Sequence, residues 1–301
     1  MNSLKSLLVV IDPTVERDTV VDRAILLARA ADAKIHLLIS NLNTLSEHSY
    51  IYEGVDGKFF ETQRKLFEEH HKKILAQIGE EVESANINVE LHFSEHHHLA
   101  ESILDHCESI KPDLLLKSTH HHSAIERSII TNTDWRLIRK CPCPLMLVKP
   151  TEWDENGSVV TAVDPLHAKA DQAKLDQVLL ASAKYLSGAL GAPLKVFHSF
   201  FPFVSTLFPM GGETVEHLDR IRGHHMDKMR ALTAEFDIPE DAIHLSEGDL
   251  VHNLVTYVED SNTNLLVMGA LSRNFLERAI VGNTAEKILE DCPCDILVLK
   301  S

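Results

Sequence analysis

The sequence contains the same pattern of residues twice, and this internal repeat restricts the possible folds more than any other feature. The stretch ERSIITNTDWRLIRKCPCPLMLVK (Glu126–Lys149) matches ERAIVGNTAEKILEDCPCDILVLK (Glu277–Lys300), with Glu-Arg, Asn-Thr and Cys-Pro-Cys in register. Near the start of each copy, LLVVIDP (Leu7–Pro13) matches VVTAVDP (Val159–Pro165). Matches at both ends of two half-chains indicate that one folding unit has been duplicated.

The repeat divides the 301 residues into two predicted domains, 1–150 and 151–301, with the polar, turn-prone segment 150–158 at their junction. The net charge of −16 argues against binding to nucleic acid or an anionic membrane, which requires a surplus of Lys and Arg. The apolar runs are far shorter than the ~20 residues that cross a bilayer. The first of them leads into an Asp-Pro turn rather than a cleavage site, so we expect a cytoplasmic protein without a transmembrane segment.

Short apolar runs alternate with longer amphipathic ones in each copy. Strands are predicted near residues 7–11, 34–39, 88–93, 113–117 and 144–148, and again near 159–163, 194–198, 242–245, 264–268 and 295–299. Helices are predicted between the strands, for example over 15–31 and 172–186. This alternation predicts an α/β fold in which each domain is a doubly wound, five-stranded parallel sheet. Such sheets bind ligands beyond the carboxyl ends of their strands, where the strand order reverses.

Candidate binding residues follow those strand ends. Asp12 and Asp164 come directly after the first strand of each copy. A carboxylate there can accept hydrogen bonds from a base or ribose, or it can cap an Asp-Pro turn. In the second copy, Gly269 ends the fourth strand and Gly282–Thr284 opens the last helix. Backbone N–H groups at that helix start can bind an anion, while Asn283 with Glu286 also has the spacing of a capping box.

These residues together resemble the universal stress protein family, whose domains are five-stranded α/β units of the adenine nucleotide alpha hydrolase-like type. In its nucleotide-binding members, a loop Gly-x2-Gly-x9-Gly-Ser/Thr after the fourth strand holds the phosphates. The second copy keeps two of the three glycines, as Gly269-x2-Ser272-x9-Gly282-Asn283. The first copy keeps none, with Ser118, His121 and Thr131 at the three positions. The tandem layout resembles the E-like subgroup of the family.

The resemblance implies that the second domain binds an ATP- or AMP-like nucleotide. Asp164 would contact the base, and the backbone of Ser199 would flank it. The phosphates would lie against Gly269, Ser272, Arg273, Gly282, Asn283 and Thr284. Ser272 places a Cβ where the family has glycine, which costs on the order of 1 kcal/mol if the backbone there is left-handed. The first domain is expected to be structural or regulatory, and Lys117 in it either reaches the anion position or is solvated.

Two histidine triplets follow the third and fourth strands of the first copy, in SEHHHLAES (94–102) and KSTHHHSAIE (117–126). Imidazole suits zinc, and three His with a carboxylate can fill a tetrahedral shell. The family's strand order would separate the triplets by ~14 Å at ~4.8 Å per strand, which is wide for one shared ion. Asp12 with His120 is the pair predicted for a zinc site, and the alternative is that the histidines lie on the surface.

The segment SFFPFVSTLFPMGG (199–212) is unusually apolar for a connection between elements. One interpretation is that it folds over a core. The other is that it forms the wall of an apolar pocket or a dimer contact. A lipid-like ligand is therefore an alternative to a nucleotide in the second domain.

The sequence contains no recognisable nucleophile elbow, zinc-protease helix or Walker lysine. We therefore expect a binding protein, with slow ATP hydrolysis as the most that its chemistry would support. The leading hypothesis is a cytoplasmic stress-response protein that binds a small ligand. The alternative is an interaction module in which both pockets have degenerated.

Five cysteines, an odd number in a long chain, do not suggest a secreted disulfide framework. In the repeated Cys-Pro-Cys (Cys141–Cys143 and Cys292–Cys294), one residue separates the cysteines, which is closer than in Cys-x2-Cys zinc or redox motifs. We interpret the motif as structural. By resemblance to the family's dimers, the final strands 144–148 and 295–299 are predicted to pair the two domains with pseudo-twofold symmetry, and a homodimer is a further expectation.

Overall fold

The protein is described by a computed structural model that covers residues 3–15, 19–40, 57–96, 98–121, 128–166, 170–202, 212–269 and 283–300. The chain forms two compact units. The first comprises Ser3–His120 and Ile130–Pro150, and the second contains Thr151–Ser301. Each unit is built on a five-stranded parallel sheet, so the predicted tandem α/β fold is confirmed.

The first unit alternates strands and helices along the chain. Its elements are β1 (Ser6–Val10), α1 (Thr19–Ala31), β2 (Lys34–Ser40), α2 (Gly57–Ser84), β3 (Val89–Ser94), α3 (Leu99–Ile110), β4 (Leu114–Ser118), α4 (Asn132–Lys140) and β7 (Leu145–Val148). Two short strands, β5 (His120–His121) and β6 (Ser128–Ile129), lie between β4 and α4 in the sequence and form a separate two-stranded sheet. The strand order in the sheet is β3-β2-β1-β4-β7.

The second unit repeats this arrangement. Its elements are β8 (Ser158–Ala162), α5 (Ala170–Leu190), β9 (Leu194–Phe200), α6 (Gly212–Ala234), a 3-10 turn (Glu240–Ala242), β10 (Ile243–Glu247), α7 (Leu250–Asp260), β11 (Thr263–Gly269), α8 (Asn283–Asp291) and β12 (Asp295–Leu299). The order in the sheet is β10-β9-β8-β11-β12, the same as in the first unit.

The central strands are nearly continuous apolar runs because both of their faces are covered. Four of the five residues are buried in β1 and likewise in β8. In each unit the strand order reverses at the first strand, between β1 and β4 or between β8 and β11. The carboxyl ends of these central strands are therefore the place where a doubly wound sheet binds its ligands.

The predicted elements agree with the structure to within a few residues, and the clearest difference is at α1. This helix begins at Thr19 instead of residue 15. Asp12 Oδ1 accepts hydrogen bonds from the backbone N–H (2.9 Å) and the hydroxyl (2.6 Å) of Thr14, so the side chain of Asp12 caps a turn. No described helix combines the length and the apolar composition needed to cross a membrane.

Candidate functional site

Three residues of the predicted binding site lie at one edge of the second sheet. Asp164, Ser199 and Gly269 are at the carboxyl ends of β8, β9 and β11, and β8 runs between the other two strands. Helix α8 begins with Asn283 and Thr284, and its N-terminus faces the same edge because β12 re-enters the sheet parallel to β11. Ser272, Arg273 and Gly282 lie outside the described residues. The ligand contacts of all eight residues stay predictions.

Backbone and side-chain hydrogen bonds hold Asp164 and Ser199 in place. The backbone N–H of Asp164 donates to Oδ1 of Asp176 in α5 (3.3 Å), and Asp164 itself remains half-buried. The Ser199 hydroxyl donates to the carbonyl of Gly248 (3.3 Å) and accepts from Nδ2 of Asn253 (3.2 Å). The side chain of Ser199 is thus bonded to the loop after β10 and to helix α7. Its backbone is therefore the part that can flank a ligand.

A pair of histidines lies beside Asp164 and was not among the site residues predicted from the sequence. His198 Nδ1 lies 3.0 Å from the carbonyl of Val163, and His198 Nε2 lies 2.8 Å from Nδ1 of His225 in α6. The carbonyl can only accept, so Nδ1 of His198 donates to it and Nε2 accepts from His225. The feature of the sequence that could have indicated this pair is His198 itself, a histidine at a buried position within β9.

Burial lowers the pKa of His225 below its ordinary value because it disfavours the charged ring. The neighbouring rings of His198 and His224 act in the same direction, and the carboxylate of Asp164 opposes them. The ring of Phe200 stacks on His225 with the centroids 4.4 Å apart. The pair therefore favours a neutral, aromatic surface next to the Asp164 carboxylate.

Gly269 packs closely against helix α5. A Cβ at this position would lie 2.7 Å from Cδ2 of Leu175 in α5, so the end of that side chain would have to move to make room. Because Leu175 is flexible at this end, packing alone does not require glycine here, and the ligand role implied by the family's loop stays a prediction.

The N-terminus of helix α4 in the first unit is closed by its own side chains. Thr131 Oγ1 accepts from the backbone N–H of Asp134 (3.2 Å). Asp134 Oδ2 accepts from the backbone N–H (2.8 Å) and the hydroxyl (2.7 Å) of Thr131. This capping box satisfies two donors and places a fully buried carboxylate at the helix N-terminus. A phosphate at this position would find these N–H donors already in use, and the carboxylate would repel it.

A buried ion pair neutralises this carboxylate. Lys117 Nζ lies 2.9 Å from Oδ1 of Asp134 and donates to the carbonyl of Ser118 (2.9 Å). The two charged side chains are only 5% and 0% exposed. The interpretation of Lys117 as solvated is therefore wrong, whereas its ammonium group does reach the N-terminus of α4, where the family binds its anion. Its ammonium group is neither solvated nor available to an anion, because Asp134 holds it inside the domain.

The residues that close α4 are replaced in the second unit. At the spacing of the repeat, the counterparts of Lys117, Thr131 and Asp134 are Met268, Gly282 and Ala285. None of the three replacements carries a capping side chain or a charge. Asn283 is the first helical residue of α8, so Asn283 with Glu286 is one residue out of register with the capping box of α4.

A cleft of about 490 Å³ opens beside Asp12 in the first unit. Three acidic side chains, those of Asp12, Asp22 and Glu81, are among the residues that line it, and its described lining contains neither Lys nor Arg. The remaining lining is largely apolar and comes from the loop after β1 and from helices α1 and α2.

The histidine triplets can be followed only in part. His96 Nδ1 accepts from the backbone N–H of His98 (3.1 Å), which is a local turn, and His97 lies outside the described residues. Nothing of the His120 side chain is described, so its pairing with Asp12 on a zinc ion stays a prediction.

Two other groups of metal-binding side chains occur among the described residues. Within each group the ligand atoms lie within 4.8 Å of one another, and the groups are His36, Glu90 and His92, and Cys107, Cys141 and Cys143. In the first group, His36 Nδ1 and His92 Nε2 are 3.0 Å apart and Glu90 is paired with Lys34 (2.5 Å). These direct hydrogen bonds and ion pairs explain the first group without an ion.

The apolar segment 199–212 is described only at its ends. The side chain of Phe200 is buried, and that of Phe201 is 59% exposed. Phe203, Leu207, Phe208 and Met210 lie outside the described residues. The choice between a cover over the core and the wall of an apolar pocket stays open.

Comparisons with known proteins agree with the repeat and the fold. A family model described as "Universal stress protein family" matches residues 3–149 and again 160–300. Universal stress protein E of Photorhabdus laumondii is 29% identical over 305 residues, which cover 100% of this chain and 96% of that protein. Universal stress protein E of Escherichia coli K12 is 27% identical, with 100% and 95% covered.

Solved structures show the same tandem fold. A protein of Pseudomonas aeruginosa PAO1, described as functionally unknown, superposes with a TM-score of 0.76 at 22% identity and covers 99% of this chain and 93% of its own. A universal stress protein of Archaeoglobus fulgidus gives 0.65 at 16% identity, with 98% of both chains covered. Because a family model matches nearly the whole of each half, the chain belongs to the universal stress protein family, as a tandem member similar in sequence to universal stress protein E.

Proposed function

We propose that this protein is a cytoplasmic stress-response protein that binds an ATP- or AMP-like nucleotide in its second domain. The first domain has a structural or regulatory role. The observation that carries the proposal is the contrast between the N-termini of α4 and α8. The first is occupied by the carboxylate of Asp134, and its counterpart in the second domain is Ala285.

The helix N-terminus is the part of the fold that would hold phosphates. The first backbone N–H groups of a helix have no partner within the helix, and the helix dipole adds positive potential there. In α4 two of the backbone N–H groups at this end are already used, because that of Asp134 donates to Thr131 and that of Thr131 donates to Asp134. In α8 the counterpart of Asp134 is Ala285, and the acidic residue of the first turn is Glu286, one position further along the helix. The backbone N–H group that Asp134 uses in the first domain therefore has no carboxylate at the corresponding position, and an anion can take its place.

The other end of the proposed site suits a base. Asp164 offers a half-buried carboxylate that can accept from the exocyclic amine of adenine or from a ribose hydroxyl. The backbone of Ser199 and the His198–His225 pair lie on the neighbouring strand and helix. Between these two ends of the site, the sequence contains the residues that the resemblance implies for the phosphates. They are Gly269, Ser272, Arg273, Gly282, Asn283 and Thr284.

Nothing in the described residues places a nucleophile beside a base, so the proposal is one of binding. Slow ATP hydrolysis is the most that we expect. Pairing of the two domains within one chain through the final strands 144–148 and 295–299 belongs to the same proposal, and a homodimer is its expected assembly.

The decisive experiment copies the closed N-terminus of α4 into α8. The double variant Met268→Lys/Ala285→Asp recreates the ion pair of Lys117 with Asp134, so the new carboxylate is not left unpaired in the core. Binding of ATP and AMP is measured by isothermal titration calorimetry on the full chain. We expect a loss of at least tenfold in affinity, which corresponds to about 1.4 kcal/mol.

Ala285→Asn is the matched control because it has the shape of aspartate without the charge. It should retain affinity to within a few-fold. Equal affinities in the wild type and the double variant would overturn the proposed site. Absence of any ATP or AMP binding to the wild type, together with acyl lipid found by native mass spectrometry, would favour the apolar ligand instead.

A further inference from the structure

Three cysteines from separate parts of the sequence meet in the first domain. Cys107 lies in the last turn of α3, Cys141 directly follows α4, and Cys143 precedes β7. Sγ of Cys141 is 4.0 Å from Sγ of Cys107 and 3.5 Å from Sγ of Cys143, and all three lie within 4.8 Å of one another. No disulfide joins any of the five cysteines, all of which are described.

The spacing of the three sulfurs suits one metal ion. With metal–sulfur bonds of about 2.3 Å, a central ion holds its sulfur ligands about 3.8–4.0 Å apart. Two of the three separations are already close to this value. Cys107 and Cys141 are buried, at 1% and 2% exposure, and Cys143 is half-buried, which leaves a path for an ion to enter.

The surrounding backbone attracts a cation to this position but disfavours the thiolates that would hold it. Cys107 and Cys141 lie at the C-terminal ends of α3 and α4. The C-terminus of a helix carries a partial negative charge that attracts cations and disfavours anions within its last turn. The last turn of α4 also contains Arg139 and Lys140, which can offset the negative charge of a metal–thiolate complex.

Burial and mutual contacts raise the pKa of two of the three thiols. Contacts with Cys141 and Cys143, together with burial, raise the pKa of Cys107 far above its usual range. The pKa of Cys143 is raised to about 12, since the lowering effect of Cys107 is outweighed by the contact with Cys141 and by burial. An ion that binds here must therefore replace protons, as at other thiolate sites.

We infer that Cys107, Cys141 and Cys143 form a three-coordinate site for a soft monovalent cation of the Cu(I) class. Thiolates select soft ions, and Cu(I) accepts three sulfur ligands. Structural zinc sites almost always have four ligands, and the described residues offer no fourth side chain to this group. On binding, the metal forms three metal–sulfur bonds and the three S–H protons leave to solvent.

The second domain is a natural control for this site. At the spacing of the repeat, Cys292 and Cys294 correspond to Cys141 and Cys143, but Val258 takes the place of Cys107. Val258 is buried in α7 just as Cys107 is buried in α3. The chain therefore contains one complete group of three thiols and one group that lacks the third.

The test is a competition for Cu(I) between the full-length, fully reduced protein and the chromophoric chelator bicinchoninate under anaerobic conditions. The wild type is expected to withdraw one Cu(I) per chain. Cys107→Val, which copies the second domain, should weaken binding by at least ~100-fold, the upper end of the losses caused by changes outside the ligand shell. Cys292→Ala, the matched change in the second domain, should retain one Cu(I). Circular dichroism and a thiol count confirm that each variant is folded and reduced.

A gain of function makes the test independent of any loss of stability. Val258→Cys completes the second group of thiols and should raise the stoichiometry from one Cu(I) to two. The inference is wrong if Cys107→Val competes as well as the wild type, or if the wild type withdraws no Cu(I). Tight binding of Zn(II) without Cu(I) would overturn the assignment of the ion. Nucleotide titrations of Cys107→Val are expected to match the wild type, so failure here is separable from failure of the proposed function.

Discussion

At the scale of single residues, the Lys117–Asp134 ion pair is the contact that most distinguishes the two domains. Removing one partner of a buried ion pair leaves an uncompensated charge and costs about 3–5 kcal/mol. Replacing both partners removes that penalty. Lys117→Met should therefore destabilise the first domain strongly. The double variant Lys117→Met/Asp134→Ala should lose only the capping box, about 0.5–2 kcal/mol.

Urea unfolding followed by tryptophan fluorescence measures this prediction. The chain has two tryptophans, Trp135 in α4 and Trp153 in the second unit. In a Trp153→Phe background, the fluorescence of Trp135 alone reports unfolding of the first domain. Every variant carries the Trp153→Phe change, so its effect on the free energy of unfolding cancels when variants are compared. The double variant must be more stable than the Lys117→Met single variant. The reverse order would show that Asp134 stabilises the first domain even without Lys117, and that an unpaired buried charge is not the cause of the loss in the single variant.

At the scale of helices and strands, the His198–His225 hydrogen bond connects β9 to α6 next to the proposed base position. His225→Phe keeps the aromatic contact with Phe200 but leaves His198 Nε2 without its donor. An unsatisfied buried polar group costs roughly 1–3 kcal/mol. We expect faster amide hydrogen exchange in peptides of α6, while peptides of α2 in the first domain are unchanged.

His224→Phe is the matched control for this prediction, because His224 is the adjacent residue and is exposed. It should leave the exchange of α6 close to that of the wild type. Equal exchange in the His225→Phe variant and the wild type would mean that the hydrogen bond does not hold the helix.

Most helices and strands could be predicted from the sequence, but the packing between them could not. The repeat and the alternation of apolar runs predict both sheets and nearly every element, because helix and strand periods are local properties. The position of the candidate site, with Asp164 after β8 and Gly269 after β11, also follows from the sequence, because the carboxyl ends of parallel strands meet at one edge of the sheet. Long-range packing is not predictable in this way. Cys107 reaches Cys141 only because α3 packs on α4, and no spacing rule relates residues that are 34 apart.

At the scale of the whole molecule, the sequence correctly predicts duplication but not the way in which the copies diverge. The first domain keeps a closed helix N-terminus, an acidic cleft and a group of three thiols. The second lacks the Asp134 carboxylate and the third thiol. In physical terms, we propose a cation as the ligand of the first domain and an anion as the ligand of the second. Charges of the individual side chains, rather than the fold, separate the two.

Stability as a function of pH is the prediction that involves both domains. Burial is the largest cause that lowers the pKa of five histidines, which are His36, His71, His92, His225 and His244. A histidine with a lowered pKa binds its proton more readily in the unfolded chain than in the folded one. The free energy of unfolding should therefore fall as the pH drops below about 6.5, and continue to fall until the folded-state pKa values are passed.

Two other effects of acid can be separated from this one. Glu68, Glu90 and Glu101 have pKa values lowered chiefly by hydrogen bonds to Lys72, Lys34 and Arg136, so their contributions are lost only below about pH 4.5. Protonation of exposed histidines reduces the net charge of −16 and relaxes repulsion, which acts in the opposite direction. Salt screens that repulsion over about 8 Å at 0.15 M but has little effect on buried rings.

Thermal unfolding between pH 7.5 and 5.5, at 0.15 M salt and again at higher salt, tests the argument. The unfolding temperature should decrease steadily over this range, and the decrease should be steeper at higher salt because the opposing relaxation of surface repulsion is screened. His71→Gln, which removes one buried titrating ring from α2, should make the decrease shallower, whereas His224→Gln at an exposed position should not. A flat or rising unfolding temperature over this interval would mean that the surface charges, and not the buried histidines, control the acid response of the protein.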